Sequence, residues 1–426
     1  MNTNKSDAKI PLKVWFTSGA AGMVSYLDAA AIVSTGTALV LYQETLGLTS
    51  GQIGALSSVL TIMIGIGALV GGRLGDKFGR RKVFMTTLFV YILGALILAM
   101  AQDVAFLYVG IPILGFAVGA DLPVSLATIA EEAPEGTSGK LVSFSHLLWM
   151  IGMAATLVIQ IFVGSMGATG ARVLYWHVII VAAVVLILRT RLPESPKWQA
   201  AHNAALTEAS DNFSVSDLRS LVKRPWLAPL IATSLFYAFV NIAANTNGQF
   251  GTYLYVNVAG STVEMASTIG LITMAVAFVM TFVLMKIADK TYRMRVFGIC
   301  SLLNIIAFVI PAVFGVVVPT LIVSGLLGTI GGAIAGEPMF KVWVQELFPT
   351  RLRSTAQGFG IAFTRLVAAA VALVTPTILD AGPKSLYIFI GVMVTLGVGI
   401  GYFWIGRMPK ADEIDSEEAN LSGIQE

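Results

Sequence analysis

The sequence predicts an all-α membrane protein: twelve transmembrane helices in two pseudo-symmetric six-helix bundles. Three observations carry this prediction. Apolar residues come in runs of roughly 20, the length that crosses ~30 Å of hydrocarbon at about 1.5 Å per residue. Lys and Arg fall almost entirely in alternate connections between those runs. The second half of the chain repeats charged and proline positions of the first at a nearly constant offset.

Composition agrees. Only 12% of residues are charged, where a soluble protein carries about 25%, and mean hydropathy is +0.81. Met1 to Lys13 is polar and leads straight into an apolar run with no small-residue cleavage site behind it. The first span is therefore expected to stay as an anchor. The single cysteine, Cys300, lies in an apolar run. One cysteine excludes an internal disulfide and a cysteine-rich metal site, and a small packed residue is the expected role.

The expected spans, in order, are Val14–Tyr42, Ile53–Gly72, Val83–Ala101, Ala105–Ala130, Leu141–Gly164, Val173–Leu188, Trp226–Val256, Ala266–Met285, Val296–Val317, Thr320–Gln345, Thr355–Leu379 and Leu386–Ile405. Topology follows from the cations. With the N-terminus in the cytoplasm, 23 of the 27 Lys and Arg fall in cytoplasmic segments, Arg189 and Arg191 among them. Arg172 and Lys384 fall outside, and Lys341 and Arg365 within spans. This bias puts both termini in the cytoplasm, in a multi-pass protein of the cytoplasmic membrane. It matters more than the net charge of +3.

The polar segment from Arg189 to Pro225 divides the chain. The expected parts are an N-terminal bundle (1–190), a cytoplasmic linker (191–225) with a short surface helix near Pro196 to Ala209, a C-terminal bundle (226–406) and a cytoplasmic tail (407–426). The tail is acidic and polar, and disorder is expected there.

The halves repeat. Asp76, Lys77 and Arg80 recur as Asp289, Lys290 and Arg293, 213 residues on. Pro123, Glu131 and Pro134 recur as Pro338, Glu346 and Pro349, 215 residues on. Internal duplication of six-span halves is the sequence form of an alternating-access carrier. It weighs against a channel or an enzyme.

The stretch Gly72-Arg73-Leu74-Gly75-Asp76-Lys77-Phe78-Gly79-Arg80-Arg81 is the most charged between any two spans of the first half. It resembles the signature loop of the major facilitator superfamily at every required position. Pro193-Glu194-Ser195-Pro196-Lys197-Trp198 resembles the signature that follows span six in sugar porters and related organic-ion and niacin carriers, with Lys for Arg. Glu346-Leu347-Phe348-Pro349 with Arg353 resembles the element after span ten. The sequence departs from the family at Ser138, where the first half lacks the matching Arg, and at Tyr292, where the second half lacks a glycine. Gly119 to Val124 is more similar to the phosphate, niacin and aromatic-acid branches than to sugar porters proper. The resemblance implies a gating role for Gly72, Asp76, Gly79, Arg80, Arg81, Asp289, Arg293, Glu346 and Arg353, with no contact to substrate.

Ionisable residues inside spans are costly and are functional candidates by default. Asp28 lies mid-span one and must pair, face water or be protonated. The family commonly has a proton-coupling aspartate there; a structural hydrogen bond is the other role open to it. Asp121 stands next to Pro123, where a helix bends. Proton exchange or a salt bridge that fixes the bend are both open. Glu337 precedes Pro338, and Lys341 lies one turn on, so the two either neutralise each other or serve substrate. Arg365 keeps its charge and must face an anion: a carboxylate of the protein or an acidic substrate. His146 occupies the position where sugar porters place a sugar-binding Gln, and Trp149 could stack on a ring; a packed histidine is equally open. Asn241, Asn245, Gln249 and Tyr253, spaced by four, line one face of span seven and read as a wall for an oxygen-rich ligand. His177 is expected to serve structure.

No Walker phosphate loop, metal cluster, nucleophile elbow or dinucleotide fingerprint appears, so no cofactor, nucleic acid or ATP-driven chemistry is expected. The expectation is a monomeric secondary transporter, not an enzyme. It would symport protons with a sugar, sugar acid or polyol through a cavity between the halves. An organic or aromatic acid is the second substrate reading, favoured by Arg365 and span four. A non-transporting sensor and a drug exporter are the readings from other classes. The first usually adds a long soluble tail, and the second needs a more apolar cavity.

Overall fold

A computed structural model describes residues 10–134, 137–195, 199, 221, 223–287 and 290–411. Among them, twelve helical spans are long and apolar enough to cross a membrane. The expected surface helix, most of the linker and the acidic tail lie outside the described residues. So do Asp289, the last three residues of the Pro193–Trp198 motif, and the side chains of Asp76 and Arg353.

The first six helices are α1 (Leu12–Leu46), α2 (Ser50–Phe78), α3 (Arg80–Ala99), α4 (Val104–Glu132), α5 (Ser138–Val163) and α6 (Ala168–Thr190). Their ends follow local chemistry. Gly47, at φ 64°, stops α1. At the start of α2, the Thr49 hydroxyl accepts from the Gln52 backbone N–H, and the Gln52 side-chain Oε1 accepts from the Thr49 N–H. This is a reciprocal cap that satisfies two otherwise orphaned donors. Asp103 caps α4 through the N–H groups of Ala105 and Phe106. Gly79, at φ 98°, makes the sharp turn between α2 and α3.

Helix α2 packs against α4 through small residues. A Cβ on Gly67 or Gly71 would overlap the carbonyls of Phe116 and Ala120, and one on Gly119 would overlap the Ile64 carbonyl. Lipid supplies no hydrophobic drive between helices, so such backbone approach is what gives helix pairs their dispersion energy. Gly72 has open space, its nearest neighbour being the Pro123 side chain at 4.0 Å. The close approaches at this end of α2 are made by Gly71, against the Ala120 backbone, and Gly75, against the Val124 side chain.

The second set is α7 (Leu227–Tyr253), α8 (Val263–Ile287), α9 (Arg293–Phe314), α10 (Val318–Gly332), α11 (Glu337–Leu347), α12 (Thr350–Asp380) and α13 (Pro383–Gly399). A π-helical turn, Leu254–Val258, extends α7, and another, Ile400–Trp404, extends α13. Expected span ten is one continuous helix; the structure breaks it into α10 and α11. Pro338 has no N–H to continue the ladder. Gly336 has room only for hydrogen, because a Cβ there would overlap the Gly332 carbonyl. The repeat partner Pro123 bends no such gap into α4, which runs unbroken to Glu132.

The chain divides into two compact units. One holds the described residues up to Gln199 with Gly248–Val256 and Thr262–Leu271. The other holds the described residues from Leu221 to Asn247, Asn257–Ser261 and those from Ile272 on. In the second unit Phe236, Phe297 and Trp343 form a ring cluster with centroids 4.8 to 6.1 Å apart. It ties α7, α9 and α11 together.

Candidate functional site

In the first unit two carboxylates, Asp28 and Asp121, line the same narrow crevice between α1, α3 and α4. Their partners differ. Asp121 is locked: one Arg189 nitrogen, Nη1, donates to both its oxygens at 2.8 Å. The remaining Arg189 nitrogens donate to the carbonyls of Ala20 and Ala21 and to the Ser125 hydroxyl. Ser125 in turn donates to Asp121. The guanidinium lies over the Phe84 ring at 5.0 Å. Arg189 is completely buried, in the last turn of α6. The cluster joins α1, α4 and α6 at one point. A buried guanidinium whose donors are met this fully fixes its carboxylate in place.

Asp28 is buried near the middle of α1 and accepts a hydrogen bond of 3.0 Å from the Trp149 indole N–H. This donor is neutral. The indole is itself stacked on His146, with centroids 5.8 Å apart and planes 7° from parallel. So Trp149, expected to stack on a ligand ring, has its edge turned to Asp28 and a face turned to His146. The helices reach this geometry because Gly152 lets α5 lie against the Tyr26 backbone. The hydroxyls of Ser25 and Ser145 meet at 2.6 Å beside it. His177 bonds the Tyr26 hydroxyl at 2.8 Å, the structural role expected of it.

The polar row of span seven divides between the units. Gln249 is buried and donates to the Thr61 hydroxyl of α2 at 2.8 Å. Two turns of backbone meet beside it, since a Cβ on Gly36 would lie 2.8 Å from the Gln249 carbonyl. Gln249 thus joins helices in this structure. Tyr253 sits edge-on to Phe250 at 6.5 Å. Asn241 and Asn245 fall in the second unit, one and two turns beyond Tyr237.

In that unit Glu337 and Lys341 form an ion pair of 2.7 Å, with side chains 45% and 46% exposed. Tyr237 hydrogen-bonds Glu337, and Arg365 stands close enough for its charge to act on the same phenol. The Tyr237 ring stacks on Phe340 at 4.4 Å. Tyr237 was not a sequence candidate. Its signal was its position, four residues before Asn241 in the same row.

The charged loops repeat as contacts. Arg80 pairs with Glu131 at 2.9 Å, and Arg293 pairs with Glu346 through two bonds of 2.7 and 2.8 Å. Lys410 adds a 3.8 Å contact to Glu346. The Glu194 carboxylate accepts from the backbone N–H groups of Arg80 and Arg81, which open α3. Arg81 also donates to the Thr190 carbonyl at 2.8 Å. Among the described residues no group of three or more His, Cys, Asp and Glu is placed to hold a metal.

Residues 15–293 match the family described as Major Facilitator Superfamily. The chain belongs to the major facilitator superfamily. Residues 207–409 also match the family described as Sugar (and other) transporter. The chain is 30% identical over 365 residues to the minor myo-inositol transporter IolF of Bacillus subtilis, covering 84% of this chain and 83% of that one. It is 24% identical to the arabinose-proton symporter of the same organism, covering 80% and 83%. The inward-open xylose transporter XylE from E. coli shares the fold at TM-score 0.75 and 19% identity, over 95% of this chain and 98% of that one. As a major facilitator protein the chain is a multi-pass membrane transporter, and not an enzyme.

Proposed function

We propose that the protein symports protons with a small polyhydroxylated metabolite, a sugar, sugar acid or polyol, into the cell across the cytoplasmic membrane. Asp28 carries the proton. The observation behind this is the contrast between the two carboxylates of one crevice. Asp121 is tied to a buried guanidinium, whereas Asp28 receives a neutral indole N–H. Asp121 is therefore reassigned from proton exchange to holding α1, α4 and α6 together. A neutral donor leaves protonation of Asp28 far less costly than protonation inside an ion pair. Relatives named for inositol, arabinose and xylose support the substrate class.

Both termini lie in the cytoplasm, as the Lys and Arg bias requires. Arg80–Glu131 and Arg293–Glu346 act as paired cytoplasmic clamps of the gating cycle, and the transporter works as a monomer. Purified protein in proteoliposomes tests the reading. Uptake of at least one radiolabelled pentose, hexose, cyclitol or sugar acid should rise when the interior is made alkaline. Uptake indifferent to the proton gradient for every such compound would refute proton symport.

A further inference from the structure

Arg365 stands in the middle of a membrane-spanning helix, α12. Of the other cations in the described spans, Arg189 pairs with Asp121 and Lys341 with Glu337, while Arg172 and Lys384 donate to backbone carbonyls. Among the described residues, Arg365 makes no hydrogen bond and no ion pair. It lies partly buried in the middle of α12, a 31-residue helix. A guanidinium cannot shed its charge to lower the cost of that position. Its surroundings are prepared for a polar ligand. The Tyr237 hydroxyl is beside it and Asn241 one turn farther along α7. Glu337 and Lys341 pair close by with side chains nearly half exposed. Gly360 brings α12 up to Phe340, which backs the Tyr237 ring; a Cβ there would lie 2.8 Å from the Phe340 ring.

We infer that Arg365 binds the carboxylate of the substrate, and that the cargo is a polyhydroxylated monocarboxylate, an aldonate or uronate, rather than a neutral sugar or polyol. This rests on the reading of the protein as a sugar-class carrier. The fork of a guanidinium matches a carboxylate through two parallel hydrogen bonds. Tyr237 and Asn241 serve hydroxyls. One guanidinium fits one carboxylate, and Glu337 close by disfavours a phosphate dianion.

Binding by thermal shift and counterflow in proteoliposomes tests this, with gluconate, glucuronate and galacturonate set against glucitol, glucose, galactose and myo-inositol. Glucose 6-phosphate and 4-hydroxybenzoate complete the set. The expected result is tighter binding of at least one acid than of its neutral counterpart. Arg365→Gln should weaken that acid about 10- to 100-fold, the loss of a charge-assisted bond pair, and Arg365→Lys should weaken it less. If Arg365→Gln does not accumulate, the acid–neutral comparison on the unmodified protein decides. Neutral compounds bound as tightly as the acids would overturn the inference and leave the carrier reading standing. So would acid binding unchanged by Arg365→Gln, or preference for the phosphate. Preference for 4-hydroxybenzoate, or no binding or exchange of any sugar, acid or polyol, would overturn the carrier reading as well.

Discussion

Arg189 Nη1 lies 2.8 Å from both carboxylate oxygens of Asp121, 68 residues away, and the guanidinium is wholly excluded from solvent. Its other donors reach α1 and Ser125, so one side chain fastens three helices.

Removing one partner leaves the other as an unanswered buried charge. Arg189→Ala and Asp121→Asn should each cost about 3–5 kcal/mol of stability. The paired substitution Arg189→Met with Asp121→Leu should recover much of that loss. Thermal unfolding of the purified variants, read by size-exclusion fluorescence, measures it. If Asp121→Asn kept full stability but lost proton-driven uptake, Asp121 would return as the proton site.

The α2–α4 crossing makes a second expectation. Gly119→Val places carbon atoms in the Ile64 carbonyl and should destabilise by about 1–3 kcal/mol or more. Gly19→Ala, on an α1 position with nothing within 4 Å, should be close to neutral. Equal melting temperatures for the two variants would contradict the packing described for α2 and α4.

The two Arg–Glu pairs are expected to govern rate. Glu131→Gln and Glu346→Gln each remove one charge of a partly buried pair, worth about 1.5–3 kcal/mol for a charged hydrogen bond. Transport should slow by about 10-fold or more while substrate affinity stays within about twofold. A matched loss of affinity in binding titrations would mean that these pairs shape the substrate site.

If the cargo is a monocarboxylate moving with the single proton of Asp28, the step carries no net charge. Acid uptake should then respond to an imposed pH gradient and ignore a potassium–valinomycin potential. The potential is worth about 2.3 kcal/mol per charge per 100 mV, so a charged cycle would show it clearly. Strong stimulation by an interior-negative potential would point to a neutral cargo or to additional protons.

Much of the fold is legible in the sequence because membrane spans obey one strong rule, a long apolar run with its backbone satisfied internally. The repeat of Arg80 and Glu131 as Arg293 and Glu346 is legible too, and the structure turns it into matching ion pairs. What escaped was pairwise. Arg189 falls at the end of an apolar run next to a polar segment, and nothing local says that its side chain turns back to Asp121. The break between α10 and α11 depends on Gly332 and Gly336 meeting across a turn, whereas Pro123 with different neighbours leaves α4 whole. Gln249 has the spacing of a ligand contact, but Thr61 claims it, a partner 188 residues away. Such choices are made by tertiary neighbours, to which periodicity is blind.

The central claim is that Asp28 carries the proton. The most direct measurement compares Asp28→Asn with the unmodified protein in proteoliposomes, for gradient-driven accumulation and for counterflow exchange of the same substrate. The account predicts that the variant loses accumulation driven by the proton gradient and keeps exchange, because the substrate site and the rocking motion survive while the coupling does not. Accumulation at the unmodified level in Asp28→Asn would contradict it.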